Sequence, residues 1–354
     1  MEFGILVNSV DDIDLVVRAE QLGYDYCWAP DSQLMYANPF AVLALAAQRT
    51  STIRLGTGLA VAGLRLAPVV ANGIATINRL APGRTFLGLG TGNTAMRTIG
   101  QRPMPVARFG EYVRVVRALL DGDEIDYALN GSVHKIRFQS DQLGHISEAP
   151  VPIHVGAIGP KAQALAGELG DAVITSFPRG GTVAQVQANV TTGAARHQRN
   201  VNGFPIYALM NLLLLEPGET LNSPRALAQC GSAIMANVHY LVDLHRDTGA
   251  QPPDYVRPIW DDYLAFHATR DADRAHQQLH QSHYAYLEPD EARFVTPEIV
   301  RNFCLAGQPD EIIQRLHELE ADGLAGVNFA FPTDSTRELI EQFANQILKR
   351  YLNG

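Results

Sequence analysis

Short apolar runs alternate along the chain with segments in which apolar residues recur at helical spacing. Each run is bounded by Gly or Pro, and each is followed by a helical pattern. Continuous apolar runs of this length are typical of parallel strands that are buried on both faces. The pattern therefore predicts an α/β fold, a (β/α)8 TIM barrel, with a doubly wound open sheet as the alternative. The eight predicted strands are residues 3–7, 24–28, 52–61, 84–90, 153–157, 171–177, 207–215 and 326–331.

Two longer segments interrupt this rhythm, at about residues 123–151 and 216–324. The first predicts a small excursion such as a hairpin. The second contains a helical part at 224–245, a Pro-rich loop at 251–258 and a His/Gln-rich helical stretch at 271–283. With no linker and no internal repeat, we expect one domain over residues 1–354, with both insertions at the C-terminal face of the barrel or at a subunit interface.

Composition narrows the class of protein. An apolar fraction of 46% with 18% charged residues is typical of a folded globular chain. The net charge of −9 argues against nucleic acid or an anionic membrane as the main partner. No apolar run reaches the length of a membrane span, and no targeting segment is evident, so we expect a cytoplasmic protein. Cys27, Cys230 and Cys304 have no metal-binding spacing, which predicts reduced thiols.

Two glycine clusters follow the third and fourth predicted strands, at residues 55–59 and 88–93. The carboxyl ends of the strands form the active-site face of a parallel barrel. Glycine at such a position allows the backbone to approach a flat ligand closely, or it makes a tight turn between strand and loop. Two clusters on neighbouring strands favour the ligand.

The segment 154–161 predicts a phosphate site. The chain turns through Gly156 and Gly159, and Pro160 suits the first position of a helix whose free N–H groups face the loop. Lys161 follows directly, and the chain has only two other lysines. An ordinary strand-to-helix connection uses the same Gly and Pro, and this alternative stays open.

Other candidates concern the substrate. Asp31 follows the second strand, while Arg65 and Arg97 lie in the loops after the third and fourth, where either guanidinium suits an anionic group. Tyr36 and Phe177 lie in the predicted mouth loops. The histidines have no metalloprotease spacing and no nucleophile elbow is present, so we predict no metal site and assign no general acid or base.

Three groups of residues together resemble the bacterial luciferase-like monooxygenase superfamily, and within it the methylenetetrahydromethanopterin reductase branch. They are the Trp-Ala-Pro-Asp sequence at 28–31, the segments 53–59 and 75–92 with their Gly-rich ends, and the segment 156–174. The resemblance implies a barrel, usually dimeric, that binds a flavin or deazaflavin at its C-terminal face. It also implies a cis peptide bond at Gly58-Leu59 against the ring. The cofactor-binding residues expected on this basis are Gly58, Leu59, Ala60, Gly90, Thr91, Gly92, Asn93, Gly156, Ala157, Ile158, Gly159, Pro160, Lys161 and Ser176.

The implied function is that of a flavin-dependent oxidoreductase. The first hypothesis is an FMN monooxygenase that uses reduced FMN and O2 on a small organic substrate, with a separate flavin reductase as partner. The alternatives are a reductase or dehydrogenase that transfers a hydride with the 8-hydroxy-5-deazaflavin coenzyme, and a flavin-binding protein without turnover. The deazaflavin coenzyme has a long anionic tail, for which the sequence shows no evident basic track. We expect a homodimer or higher homo-oligomer.

Overall fold

A closed barrel of eight parallel strands is the centre of the fold. The computed structural model describes residues 1–139, 149–332 and 335–353. Among these residues the barrel strands follow one another in the order β1, β2, β3, β5, β8, β9, β10 and β12, and β12 pairs with β1. The (β/α)8 prediction is confirmed. The strands are β1 (Glu2–Leu6), β2 (Tyr26–Ala29), β3 (Arg54–Thr57), β4 (Ala60–Val61), β5 (Thr85–Gly90), β6 (Ile125–Leu129), β7 (Ser132–Ile136), β8 (Ile153–Gly156), β9 (Ala172–Thr175), β10 (Ile206–Leu214), β11 (Cys304–Gly307) and β12 (Gly326–Phe329).

Helices connect the strands, and most begin and end at the residues that the sequence marks. Proline occupies the first turn of several of them, and Gly23 and Gly122 end α1 and α5 in the left-handed conformation. A 3-10 helix covers Pro289–Phe294 and a π-helix covers Ala344–Leu348. The α-helices are α1 (Ile13–Leu22), α2 (Pro39–Arg49), α3 (Ala67–Leu80), α4 (Asn93–Arg97), α5 (Val106–Asp121), α6 (Pro160–Leu169), α7 (Val183–Ala195), α8 (Pro224–Thr248), α9 (Arg257–Ala268), α10 (Ala275–Gln278), α11 (Pro297–Phe303), α12 (Pro309–Ala321), α13 (Thr336–Phe343) and α14 (Lys349–Asn353).

The register of the strands fixes which residues share the C-terminal face. Trp28 pairs with Gly56, and Leu89 of β5 pairs with both Ala60 of β4 and Val155 of β8. The carboxyl ends of the barrel strands β2, β3, β5 and β8 therefore lie at the same edge of the sheet, and the loops that follow them meet at one face. β2, β5 and β9 are buried along their whole length, as their continuous apolar runs predict.

The chain divides into two compact units. The first comprises residues 1–95, 103–208 and 322–328, and the second comprises residues 96–102, 209–321 and 329–354. The second unit has its own apolar core, in which Ile234 and Val238 of α8 pack with Tyr263 of α9 and Val300 of α11.

The elements predicted for the first insertion agree with the structure better than those predicted for the second. The first contains the expected hairpin, since β6 and β7 pair antiparallel from Ile125 opposite Ile136, while residues 140–148 lie outside the described residues. In the second, α8 confirms the predicted helix at 224–245. The helix predicted at 271–283 is only one turn long, at α10, and α9 begins inside the predicted Pro-rich loop. The strand β11, which pairs with β10, was missed because it follows α11 directly, with no Gly or Pro between them, and two of its four residues are only half-buried.

Candidate active site

Leu59 lies at the C-terminal ends of β5 and β8 in the first unit. The peptide bond that joins it to Gly58 is cis, as the resemblance implies. Its side chain covers the ends of two strands: a Cβ atom on Gly90 of β5 would lie 2.8 Å from Cδ1 of Leu59, and one on Gly156 of β8 would lie 2.3 Å from the same atom. Leu59 itself is half-buried. The two glycines thus make room for an apolar side chain that remains partly accessible at this face.

The other glycines of the two clusters allow strands and loops to approach closely. A Cβ atom on Gly88 would lie 2.1 Å from the carbonyl oxygen of Thr57, and one on Gly58 would lie 2.6 Å from Cβ of Trp28. Their role in the structure is therefore packing between β2, β3 and β5. These are contacts between protein atoms, and the predicted contact of the two glycine clusters with a ligand stays a prediction.

Asp31 is a buried carboxylate that holds the segment after Leu59. It follows β2 and is 4% exposed. Its Oδ2 atom accepts a hydrogen bond of 3.1 Å from the backbone N–H of Val61 and forms an ion pair with Nη1 of Arg65. The carbonyl oxygen of Arg65 accepts a hydrogen bond from Tyr112, whose pKa is raised by burial. Asp31 and Arg65, both predicted as substrate residues, are thus paired with each other beside the cis peptide bond.

The loop predicted to bind phosphate is tied to the next loop by one buried side chain. Gln163 of α6 donates from Nε2 to the carbonyl oxygens of Ile158 and Gly180, both at 2.9 Å, and its Oε1 accepts from Asn189 at 2.7 Å. The loops after β8 and β9 therefore form one continuous rim. Ala157 is buried in it, and Ile158 is half-buried.

The rim is open at Gly159, and each of its two loops carries one cation. Gly159 is exposed, with φ −89°, and a Cβ atom there would have nothing within 4 Å. Pro160 and Lys161 are exposed in the first turn of α6. On the next loop, Nη2 of Arg179 donates to Oγ of the buried Ser176 at 3.2 Å.

Gln163 and Arg179 are site residues that sequence reasoning missed. Arg179 lies between the cis Phe177-Pro178 bond and the turn at Gly180 and Gly181, and a basic residue next to a glycine pair after a barrel strand is a signal that was available. Gln163 gave no such signal, because its three partners come from two loops and a distant helix.

The remaining predicted site residues lie in different parts of the structure. Thr91 and Gly92 are half-buried in the loop after β5, Asn93 is half-buried at the start of α4, and Ala60 is buried in β4. Tyr36 and Phe177 are half-buried in loops of the first unit.

Arg97 belongs to the second unit, where its guanidinium pairs with two carboxylates. Its Nε atom lies 3.1 Å from Oδ2 of Asp243, which is 2% exposed, and its Nη2 atom pairs with Asp247. Oδ2 of Asp243 also lies 2.9 Å from Nε2 of His280. Arg97 is thus held by protein carboxylates.

Two kinds of feature are missing from the described part of the chain. No group of His, Cys, Asp and Glu side chains there has the arrangement of a metal site. None of the helices described is both long enough and apolar enough to cross a membrane.

Comparison with known proteins identifies the class. The family model for luciferase-like monooxygenases matches residues 10–326. The chain belongs to the luciferase-like monooxygenase family, and it is an enzyme of the oxidoreductase class.

Relatives that match over nearly the whole chain refine the picture. The 5,10-methylenetetrahydromethanopterin reductase of Archaeoglobus fulgidus is 29% identical over 92% of each chain. The F420-dependent glucose-6-phosphate dehydrogenase of Beutenbergia cavernae is 27% identical over 96% of this chain and 93% of its own. Among solved structures, the coenzyme F420-dependent tetrahydromethanopterin reductase of Methanopyrus kandleri covers 99% of both chains with a TM-score of 0.66 at 20% identity, which supports the barrel fold.

Proposed function

We propose that this protein is an oxidoreductase that transfers a hydride between the 8-hydroxy-5-deazaflavin coenzyme F420 and a small organic substrate. The observation that carries the proposal is that full-length relatives are reductases and dehydrogenases, of which one is named as F420-dependent. This favours the deazaflavin alternative over the FMN monooxygenase that was the first hypothesis. The FMN hypothesis keeps the support of the family's description as monooxygenases, and it would require a separate reductase.

The residues at the C-terminal face fit such a coenzyme. The partly accessible side chain of Leu59 offers an apolar surface to a flat ring. Gly90 and Gly156 have no side chains, so the ends of β5 and β8 leave space for Leu59 to form this surface. A ring placed there would be bounded by the loop of Thr91, Gly92 and Asn93. When bound, the coenzyme supplies a carbon that accepts or donates a hydride.

The rim of the two loops fits the phosphate of the coenzyme. At the start of α6, Pro160 has no N–H, and those of Ala162 and Gln163 donate to the carbonyl oxygen of Gly159, which leaves the N–H of Lys161 for an anion. Gly159, the residue before the helix, is exposed and has open space beside it. Lys161 and Arg179 place positive charge on the two loops that Gln163 ties together. This charge and the helix N-terminus both favour an anion.

Asp31 acts as a positioning residue in this proposal. Its carboxylate binds the N–H of Val61 and the guanidinium of Arg65, so it holds β4 and thereby Leu59 in place. Because both of these partners are groups of the protein, we assign the carboxylate no proton transfer.

The proposal is tested by oxygen dependence. Purified protein is incubated under argon with oxidised F420 and a panel of hydride donors that includes secondary alcohols, sugar phosphates and reduced pterins, and the visible absorbance of the coenzyme is followed. We expect one donor to bleach the coenzyme at the same rate under argon and in air. Turnover that requires reduced FMN and O2, with no reaction of F420, would contradict the proposal.

A further inference from the structure

A groove of about 750 Å³ runs along the outside of the first unit between α5 and α6. Its α5 wall is formed by one face of the helix, from Val106 to Arg114, and its α6 wall by Lys161, Leu165 and Glu168. Eight residues of helix measure about 12 Å, which is the length of a few extended residues. Gly110 keeps the middle of the groove open, because a Cβ atom there would lie 3.0 Å from Cδ1 of Leu165.

Basic residues line the groove at both ends. Lys161 lies at one end, and Arg114 and Arg196 lie towards the other. Of the two carboxylates in the lining, Glu168 is already neutralised, since its Oε1 atom lies 2.5 Å from Nη2 of Arg114 and 3.2 Å from Nε2 of His197. Glu111 is exposed on α5 and opposes the basic charge. Three guanidinium or ammonium groups against two carboxylates leave the groove basic, on a chain whose net charge is −9.

The groove is continuous with the loop that we propose binds phosphate. Lys161 is both the last residue of that loop and the first charge of the groove. A chain that leaves a phosphate at the first turn of α6 therefore meets Lys161 first and Arg196 later. Among the described residues, the side chains of Lys161 and Arg196 have no ion pair of their own, so both are available to an anionic ligand.

We infer that this groove binds the γ-linked glutamate tail of the deazaflavin coenzyme. The inference rests on the proposed function, because FMN has no such tail. It supplies the basic track that the composition of the chain does not reveal. Each glutamate of the tail carries a free α-carboxylate, and the last one carries a γ-carboxylate as well. The tail is recognised by charge: Lys161 and Arg196 attract it, whereas Glu111 repels it.

Two substitutions outside the phosphate loop test the inference in opposite directions. The dissociation constants of two probes are measured by fluorescence at low ionic strength: the coenzyme with several glutamates, and the phospholactyl form that has none. We expect Arg196→Gln to weaken binding of the long form by about two- to fivefold, and Glu111→Gln to strengthen it by a similar factor. Neither substitution should change binding of the form without glutamates. Arg315→Gln, on the exposed face of α12, serves as the control and should change neither.

The two proposals fail in different ways. If both forms bind the unmodified protein but respond equally to Arg196→Gln and Glu111→Gln, or do not respond at all, the tail site is contradicted and the proposed function stands. If neither form binds the unmodified protein, the proposed function is contradicted together with the tail site. A tail-specific loss for Arg196→Gln that disappears at high salt is the result that we predict.

Discussion

The side chain of Leu59 fills the space that a Cβ atom on Gly156 would need: the two would lie 2.3 Å apart. Gly156 has close neighbours on two sides, since the carbonyl oxygen of Leu89 would lie 3.1 Å from the same Cβ position. Gly159, three residues further on, has open space instead. The loop thus contains one glycine that the protein interior requires and one that faces outward.

Gly156→Ala should therefore lower both the stability of the protein and its affinity for the coenzyme, while Gly159→Ala should change neither. The new methyl group must displace Leu59, which we expect to lower the free energy of unfolding by about 1–3 kcal/mol and to weaken coenzyme binding. Gly159→Ala should stay within about 0.5 kcal/mol of the unmodified protein, because its φ of −89° suits any residue. Urea unfolding and coenzyme titration check both. Equal stability of the two variants would contradict this account of Leu59.

Gly159→Asp tests the phosphate loop itself. A carboxylate at residue 159, directly before α6, would repel a bound phosphate, and we expect the affinity for the coenzyme to fall more than about tenfold. The protein should still unfold cooperatively, because the position is exposed and open. Gly159→Asn, which has the same shape without the charge, is the matched control and should bind normally. Unchanged affinity in the Asp variant would refute the assignment of this loop.

We expect the burial of His154 to make the free energy of unfolding fall in acid. Its ring is stacked between Phe86 and Tyr207, with centroids 4.6 Å and 5.2 Å away, and burial lowers its pKa to about 3. Because the folded pKa lies below the unfolded value near 6.5, the neutral ring favours folding above pH 6.5, and this stability is lost as pH falls towards 3. Between pH 7 and pH 5 we expect a loss of about 2 kcal/mol from this residue.

The variant His154→Phe keeps the stacking and removes the titration. Its free energy of unfolding should fall less than that of the unmodified protein over the same range, by about 2 kcal/mol. The remaining dependence is expected from His239 and His267, whose pKa values are also lowered by burial. Identical pH profiles for the two proteins would show that His154 is not buried in the neutral form.

Arg97 is predicted to stabilise the second unit. Removing its guanidinium by Arg97→Ala leaves the buried carboxylate of Asp243 without its closest permanent cation, and we expect a cost of about 3 kcal/mol in unfolding. Arg102→Ala is the control: its side chain is 80% exposed and lies 3.7 Å from Asp247, so its loss should cost less than about 1 kcal/mol. Similar costs for the two variants in urea unfolding would contradict the buried role of Arg97.

The barrel could be predicted from sequence because each of its strands is a short apolar run that is nearly buried on both faces. The eight predicted strands match the eight barrel strands to within a few residues at most ends, with 52–61 broken at Gly58-Leu59 into β3 and β4. The structure of the second insertion, residues 216–324, was less predictable. The His and Gln residues of 271–283 favoured a helix, whereas the contact of His280 with the buried Asp243 helps to hold the segment in turns.

Candidate site residues could be proposed from sequence where they are adjacent in one loop. They could not be proposed where residues from distant parts of the chain come together. The Gly, Pro and Lys of residues 156–161 are adjacent in sequence, so they could be recognised together. Gln163 acts through Gly180, and Arg97 acts through Asp243, which is 146 residues away. No local pattern indicates either partner.

The central claim is tested most directly by a titration of the purified protein with F420 and, separately, with FMN, at physiological salt. Intrinsic fluorescence and the melting temperature are followed in both. We predict that F420 quenches the fluorescence and raises the melting temperature, while FMN at the same concentration does neither. A clear preference for FMN would contradict the proposed hydride transfer with a deazaflavin. It would favour the alternative, an FMN monooxygenase that uses O2.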